Sequence, residues 1–111
     1  TEDGRIYVVD SKHGEIKVLD AEGKFLFKFG EIGSEEGQFN FPEGIALDQS
    51  ENVYVCDPLN SRIQKFNSEG KYISTMTAGL KKPTTLRIDE ENTLYIVDAE
   101  LNQVIITKWK S

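Results

Sequence analysis

The stretch NVYVCDPLNSRIQKFNSEGKYI, from Asn52 to Ile73, decides the fold. Val53 to Cys56 has the β-branched and aromatic content of a strand, and Asp57-Pro58-Leu59-Asn60-Ser61 interrupts it with turn formers. Arg62 to Phe66 resumes the strand pattern, Asn67-Ser68-Glu69-Gly70 reverses the chain, and Tyr72 to Met76 forms a third run. Within Val53 to Cys56 both alternating sets are apolar, Val53 and Val55 on one side and Tyr54 and Cys56 on the other. Such a strand is expected to be buried on both faces, as between stacked sheets.

The same unit occurs twice more, as IYVVDSKHGEIKVLDAEGKFLFKF from Ile6 and LYIVDAELNQVIITKW from Leu94. Asp10, Asp57 and Asp98 correspond, as do Ile16, Ile63 and Val104, and Gly23 and Gly70. The aspartates lie 47 and then 41 residues apart, and the difference sits in one connection, GEIGSEEGQFNFP against TAGLKKP. Upstream, PEGIALDQSEN from Pro42 and PTTLRIDEENT from Pro83 add one more strand per unit. The full unit is therefore strand A (Ile45 to Asp48), B (Val53 to Cys56), C (Arg62 to Phe66) and D (Tyr72 to Met76). Four short antiparallel strands repeated at this period predict an all-β fold of β-propeller blades. Asp48 and Asp89 open the A–B turns with side chains suited to capping turn amides, and Gly23 and Gly70 sit where the C–D turns favour a positive φ.

The patterns P-x-G-I-A-x-D, N-x-Y-V-x-D, N-x-R-I-Q-x-F and G-K-x-I, as they stand at Pro42 to Ile73, resemble the NHL repeat. That resemblance implies a six-bladed propeller. It also implies two activities: single-stranded RNA binding as in ubiquitin-ligase-like translational regulators, or catalysis as in amidating-lyase-like, lactonase-like and strictosidine-synthase-like propellers. The first unit lacks strand A and has Glu15 where the family usually has Arg; the third has Gln103 there and lacks a clear strand D.

Strands B-C-D, A-B-C-D and A-B-C make about two and a half blades, short of a closed ring of roughly 4 to 8. The reading places one partial propeller over residues 1–111, with repeats at about 1–41, 42–82 and 83–111. Either the remaining blades of a longer protein or self-association would close it, and the mid-blade start of the first unit favours the former. Phe25, Phe27 and Phe29 are expected to pack between blades, Phe39 and Phe41 to pack inward, and Trp109 to cover the last blade edge.

Composition limits the functions. No apolar run approaches the roughly 20 residues of a membrane-spanning helix, so no membrane partner is expected. A formal net charge of −6 opposes general affinity for nucleic acid. Cys56, the only cysteine, takes a mid-strand position equivalent to Val9 and Val97 and reads as a core residue. His13 is the only histidine and lies in a turn, which gives no multi-histidine metal site; no catalytic residue, metal ligand or cofactor is assigned.

Asp10, Asp57 and Asp98, together with Asp48 and Asp89, are read as structural residues of the repeat that accept hydrogen bonds from turn amides. Arg62 is read as a planar donor for a neighbouring Asp. The B–C turns and D–A connections emerge at one end of a propeller, and loops on a rigid scaffold commonly carry function. The candidate binding face comprises Lys12, His13, Asn60, Arg62, Lys81, Lys82 and Asn102. A protein or peptide is the expected partner, with RNA the alternative.

Overall fold

The computed structural model describes residues 1–110. Strands β1 (Ile6–Asp10), β2 (Glu15–Leu19) and β3 (Phe25–Phe29) form a first antiparallel sheet in chain order. A connection holding the two-residue strands β4 (Glu31–Ile32) and β5 (Gln38–Phe39) leads to the second sheet, β6 (Ile45–Leu47), β7 (Val53–Asp57), β8 (Arg62–Phe66) and β9 (Tyr72–Met76). The third sheet is β10 (Pro83–Ile88), β11 (Leu94–Asp98) and β12 (Gln103–Thr107). These are three propeller blades, the first without its A strand and the third without its D strand, as the repeat predicts. The parallel pair β4–β5 was not foreseen; it is short, polar on one side and embedded in glycines, so no periodicity marks it. The poorly matching strand A of the third unit is, as β10, the longest strand in the molecule, because Thr84, Thr85 and Ile88 favour extended backbone.

The turns are built alike. Asp48 accepts the amides of Ser50 and Asn52, both at 2.9 Å, and the hydroxyl of Tyr54 at 2.8 Å. Asp89 repeats this with the amides of Glu91 and Thr93 at 2.9 Å and the Tyr95 hydroxyl at 3.0 Å. Burial would raise the Asp48 carboxyl, but these donors outweigh it and hold its pKa below the usual carboxylate value. At the C–D turns Asp20 and Asn67 cap the following amides in the same way.

Two cores fill the gaps between blades. Ile16 on β2 meets Val53, Val55 and Phe66 of the second blade together with Phe39. On the other side Tyr54, Cys56, Ile63 and Met76 meet Leu86, Leu94 and Ile96 of the third. Strand β7 is buried along its whole length, since each of its faces has a neighbouring blade. Near the inner rim the blades converge on backbone: a Cβ on Gly44 would stand 2.6 Å from the Cα of Thr85, its counterpart in the next repeat.

The aromatics on β3 divide. A bulge opposite Val18 and Leu19 breaks the alternation, so Phe29 packs on Phe66 at 5.0 Å while Phe25 is exposed on the outer face of the first blade. Phe39 is fully buried, whereas Phe41 points to solvent. Trp109 does not cover the outer edge. Its ring meets Tyr54 edge-on at 5.1 Å and its indole N–H donates to Ser74 Oγ at 2.8 Å, both on the second blade. Cys56 is fully buried, and burial pushes its thiol up to about 12. The folded protein is therefore expected to resist an aromatic disulfide reagent at neutral pH and to react stoichiometrically once unfolded in urea; rapid labelling of the native chain would contradict this placement.

Candidate functional site

The end of the molecule bearing the B–C turns is organised around the repeated aspartates. Asp57 accepts the Asn40 amide at 2.8 Å, the Asn60 side-chain amide at 2.9 Å and the Arg62 Nε–H at 3.0 Å. Asp98 accepts the amides of Lys81 at 2.8 Å, Lys82 at 3.0 Å and Leu101 at 3.1 Å. Each of these two carboxylates ties its own B–C turn to the D–A connection arriving from the preceding blade. Burial opposes the charge on Asp98, and the three amides more than offset it, leaving its pKa lowered. Asp10 has different partners: Lys17 Nζ at 3.1 Å and His13 Nδ1 at 3.0 Å, and these bring its carboxyl down to about 2. The aspartate oxygens are thus committed to the scaffold, and among the described residues no three His, Cys, Asp or Glu side chains converge on a metal site.

Arg62 is the centre of the longer connection. Besides Asp57, its guanidinium donates to the carbonyls of Ser34 at 2.9 Å, Glu35 at 3.0 Å and Gln38 at 2.6 Å. Gln64, fully buried, adds bonds to the Gln38 carbonyl and the Gly37 amide. Fork geometry lets one side chain satisfy four acceptors at once. This corrects its placement on the binding face: Arg62 is buried, and its charge points into the loop.

The remaining predicted residues are distributed over separate turns. Lys12 and His13 are exposed on the 3-10 turn Ser11–His13 of the first blade, with His13 tied to Asp10. Asn60, half-buried, donates to the Gly33 carbonyl and to Asp57 and serves as a strut between turn and connection. Lys81 and Lys82 are exposed on the second crossing, and Asn102 is exposed in the third B–C turn at a φ of 54°. The basic surface therefore reduces to Lys12, Lys81 and Lys82, interspersed with the exposed Glu31, Glu35, Glu36 and Glu43.

Three apolar side chains share this end. Ile32, Phe41 and Leu59 are 65%, 54% and 53% exposed. The bonds around them hold their backbones in one cluster: Asn60, next to Leu59, reaches Gly33, next to Ile32, while Asn40 is bound to Asp57 and the Pro42 carbonyl accepts from the Ser11 hydroxyl. Phe41 has a φ of 57°, in the left-handed region that a residue before proline ordinarily avoids. Its counterpart Lys82, before Pro83, has no positive φ, so the repeat does not demand this conformation. For Ile32 and Leu59 the only sequence signals were an isoleucine and a leucine inside largely polar loops, and Phe41, expected to pack inward, stands out in solvent instead.

Comparison with known proteins agrees with this architecture. A family profile described as a 6-bladed beta-propeller matches residues 1–104. Protein brain tumor of Drosophila melanogaster is 27% identical over 104 residues, covering 91% of this chain and 10% of that protein. NHL repeat-containing protein 3 of Homo sapiens is 30% identical over 105 residues, covering 89% of this chain and 30% of that one. The chain thus spans a tenth to three tenths of the length of these relatives. Among solved structures, a streptogramin B lyase superposes with a TM-score of 0.77 at 17% identity over 97% of this chain and 35% of its own. The WD40 β-propeller domain of Doa1 gives 0.75 at 18% identity over 98% and 34%. At these identities the structures speak for the fold alone.

Proposed function

The chain belongs to the six-bladed β-propeller family and has NHL-repeat proteins as homologues; from that premise we propose that it is a recognition module that binds a protein or peptide through the face carrying the B–C turns and D–A connections. The observation that supports this reading is the exposed set Ile32, Phe41 and Leu59 on loops pinned by Asp57, Asn60 and Arg62. A bulky side chain held outward on strained backbone is typical of functional positions, and apolar anchors on preorganised loops lose little entropy on binding. The exposed glutamates around the anchors disfavour a phosphate backbone and suit a ligand that combines apolar and basic side chains.

The test is selection of ligands from a displayed random peptide library on the whole chain. Bound peptides are expected to weaken by about thirtyfold with Phe41→Ala, the effect of losing a binding anchor, and to weaken further with Leu59→Ser. Peptides that ignore both changes would exclude this face. If instead a random single-stranded RNA pool binds, with affinity that collapses in salt and with Lys81→Ala and Lys82→Ala rather than with Phe41→Ala, the module is a nucleic-acid binder.

A further inference from the structure

The two crossings into strand A can be compared residue by residue. Asn40-Phe41-Pro42 and Lys81-Lys82-Pro83 stand at the same place in the repeat, as do Asp57-Pro58 and Asp98-Ala99. On the third blade both amides before the proline are held by the aspartate: Lys81 donates to Asp98 at 2.8 Å and Lys82 at 3.0 Å. The Lys82 carbonyl in turn accepts the Ala99 amide at 3.0 Å. Lys82 is thereby fixed on both sides of its Cα, and its φ is not positive.

On the second blade this arrangement cannot form. Pro58 takes the place of Ala99 and has no N–H to offer the Phe41 carbonyl. Asp57 gives one oxygen to the Asn40 amide and the other to Arg62 and Asn60, so the Phe41 amide is left out as well. Among the described residues neither peptide group of Phe41 has a hydrogen-bond partner. The residues on either side are held instead, Asn40 by Asp57 of the second blade and Pro42 by the Ser11 hydroxyl of the first. Phe41 is a free link between two fixed ones, and it takes the left-handed conformation. Pro58 itself is buried at the start of the turn Pro58–Asn60, next to the exposed Leu59.

We infer that Pro58 is the positioning residue of the proposed binding face: by withholding the amide that its counterpart supplies, it releases the Phe41 peptide and lets the ring stand out at the loop-bearing end. Pro58 touches no ligand in this role. The ordinary crossing of the repeat, which presents a lysine, becomes one that presents an aromatic. Restoring the N–H would put a donor in a buried position where, by register, the Phe41 carbonyl is its acceptor, and a buried donor left unpaired is costly. That pull would draw Phe41 back to the backbone of Lys82 and turn its side chain away from its present direction. The inference rests on the reading of Phe41 as a binding anchor, but its first step concerns backbone alone and needs no ligand.

The experiment is backbone NMR on the isotope-labelled whole chain with Pro58→Ala, beside peptides selected on the wild type; circular dichroism checks that the fold is kept. In the wild type the Phe41 amide is expected to exchange rapidly with water and its carbon shifts to be those of a left-handed residue, while the Lys82 and Ala99 amides are protected. In Pro58→Ala the amide introduced at position 58 should be protected, and the Phe41 shifts should move to those of an extended residue. Peptides that need Phe41 should bind this variant about tenfold more weakly, because the anchor is no longer preorganised. The reciprocal Ala99→Pro removes a donor and should shift the Lys82 carbonyl carbon, which keeps the inference testable if Pro58→Ala does not fold. Phe41 shifts unmoved by Pro58→Ala, or a Lys82 carbonyl unmoved by Ala99→Pro, would overturn it whatever the peptides do. So would moved shifts with Phe41-dependent peptides bound as tightly as before. If no peptide is sensitive to Phe41→Ala, the binding reading fails and the anchor role with it, a failure told from the first because the Phe41 shifts still move.

Discussion

Arg62→Ala is expected to cost about 3–5 kcal/mol of folding stability, the range for breaking a buried ion pair by removing one partner. Asp57, at 0% exposure, would lose its guanidinium partner, and the carbonyls of Ser34 and Glu35 would lose their donor, while the Gln38 carbonyl would keep only its bond from Gln64. Buried acceptors left unpaired are what make such deletions expensive. Since a domain of this size has about 5–15 kcal/mol in total, the variant should lose a large part of its urea midpoint. Arg62→Lys retains the positive charge without the fork, so it should recover the Asp57 contact and leave the connection unclamped. Urea unfolding followed by tryptophan fluorescence gives the numbers. A loss below about 1 kcal/mol for Arg62→Ala would mean that water reaches the site and that the loop does not depend on this side chain.

Phe66→Ala should be comparably severe, about 3–5 kcal/mol, by creating a cavity between the first and second blades. The ring is 5.0 Å from Phe29, 5.6 Å from Phe39 and 6.0 Å from Tyr72, so it joins strand β3, the connection and strand β9 in one aromatic cluster. Losing it removes both buried area and three favourable ring geometries. Phe66→Leu retains most of the volume and should cost less than half as much. Equal effects from Leu and Ala would show that ring contacts rather than volume hold this seam. A cost under about 1 kcal/mol for Ala would show that the blades slide together to refill the gap.

The blades were legible in the sequence because each carries alternating apolar residues and an Asx-type turn in the same order, and the first two add a glycine at the C–D turn. Strands β8 and β9 match the expected residues at both ends, and β6 and β7 differ by one residue. Faces were harder. The bulge on β3 reverses which side Phe25 takes, and a simple count of alternation carries no mark of an inserted residue. Arg62 was recognisable as the partner of Asp57, yet its grip on three carbonyls depends on a connection whose path nothing in the composition specifies. Trp109 bonds a serine 35 positions earlier, a separation at which local pattern is silent. The apolar cluster around Phe41 went unseen because its members come from two different loops that meet only in the fold.

The connection between the first two blades has one more consequence. It holds six residues more than its counterpart, yet the blades on either side keep their register. The surplus is taken up at one end and fastened by Arg62 and Gln64, side chains of the blade that follows. Length can therefore vary there like the text on a card held in a fixed frame: a descendant could rewrite the loop, and with it the preference for a ligand, while inheriting the frame unchanged.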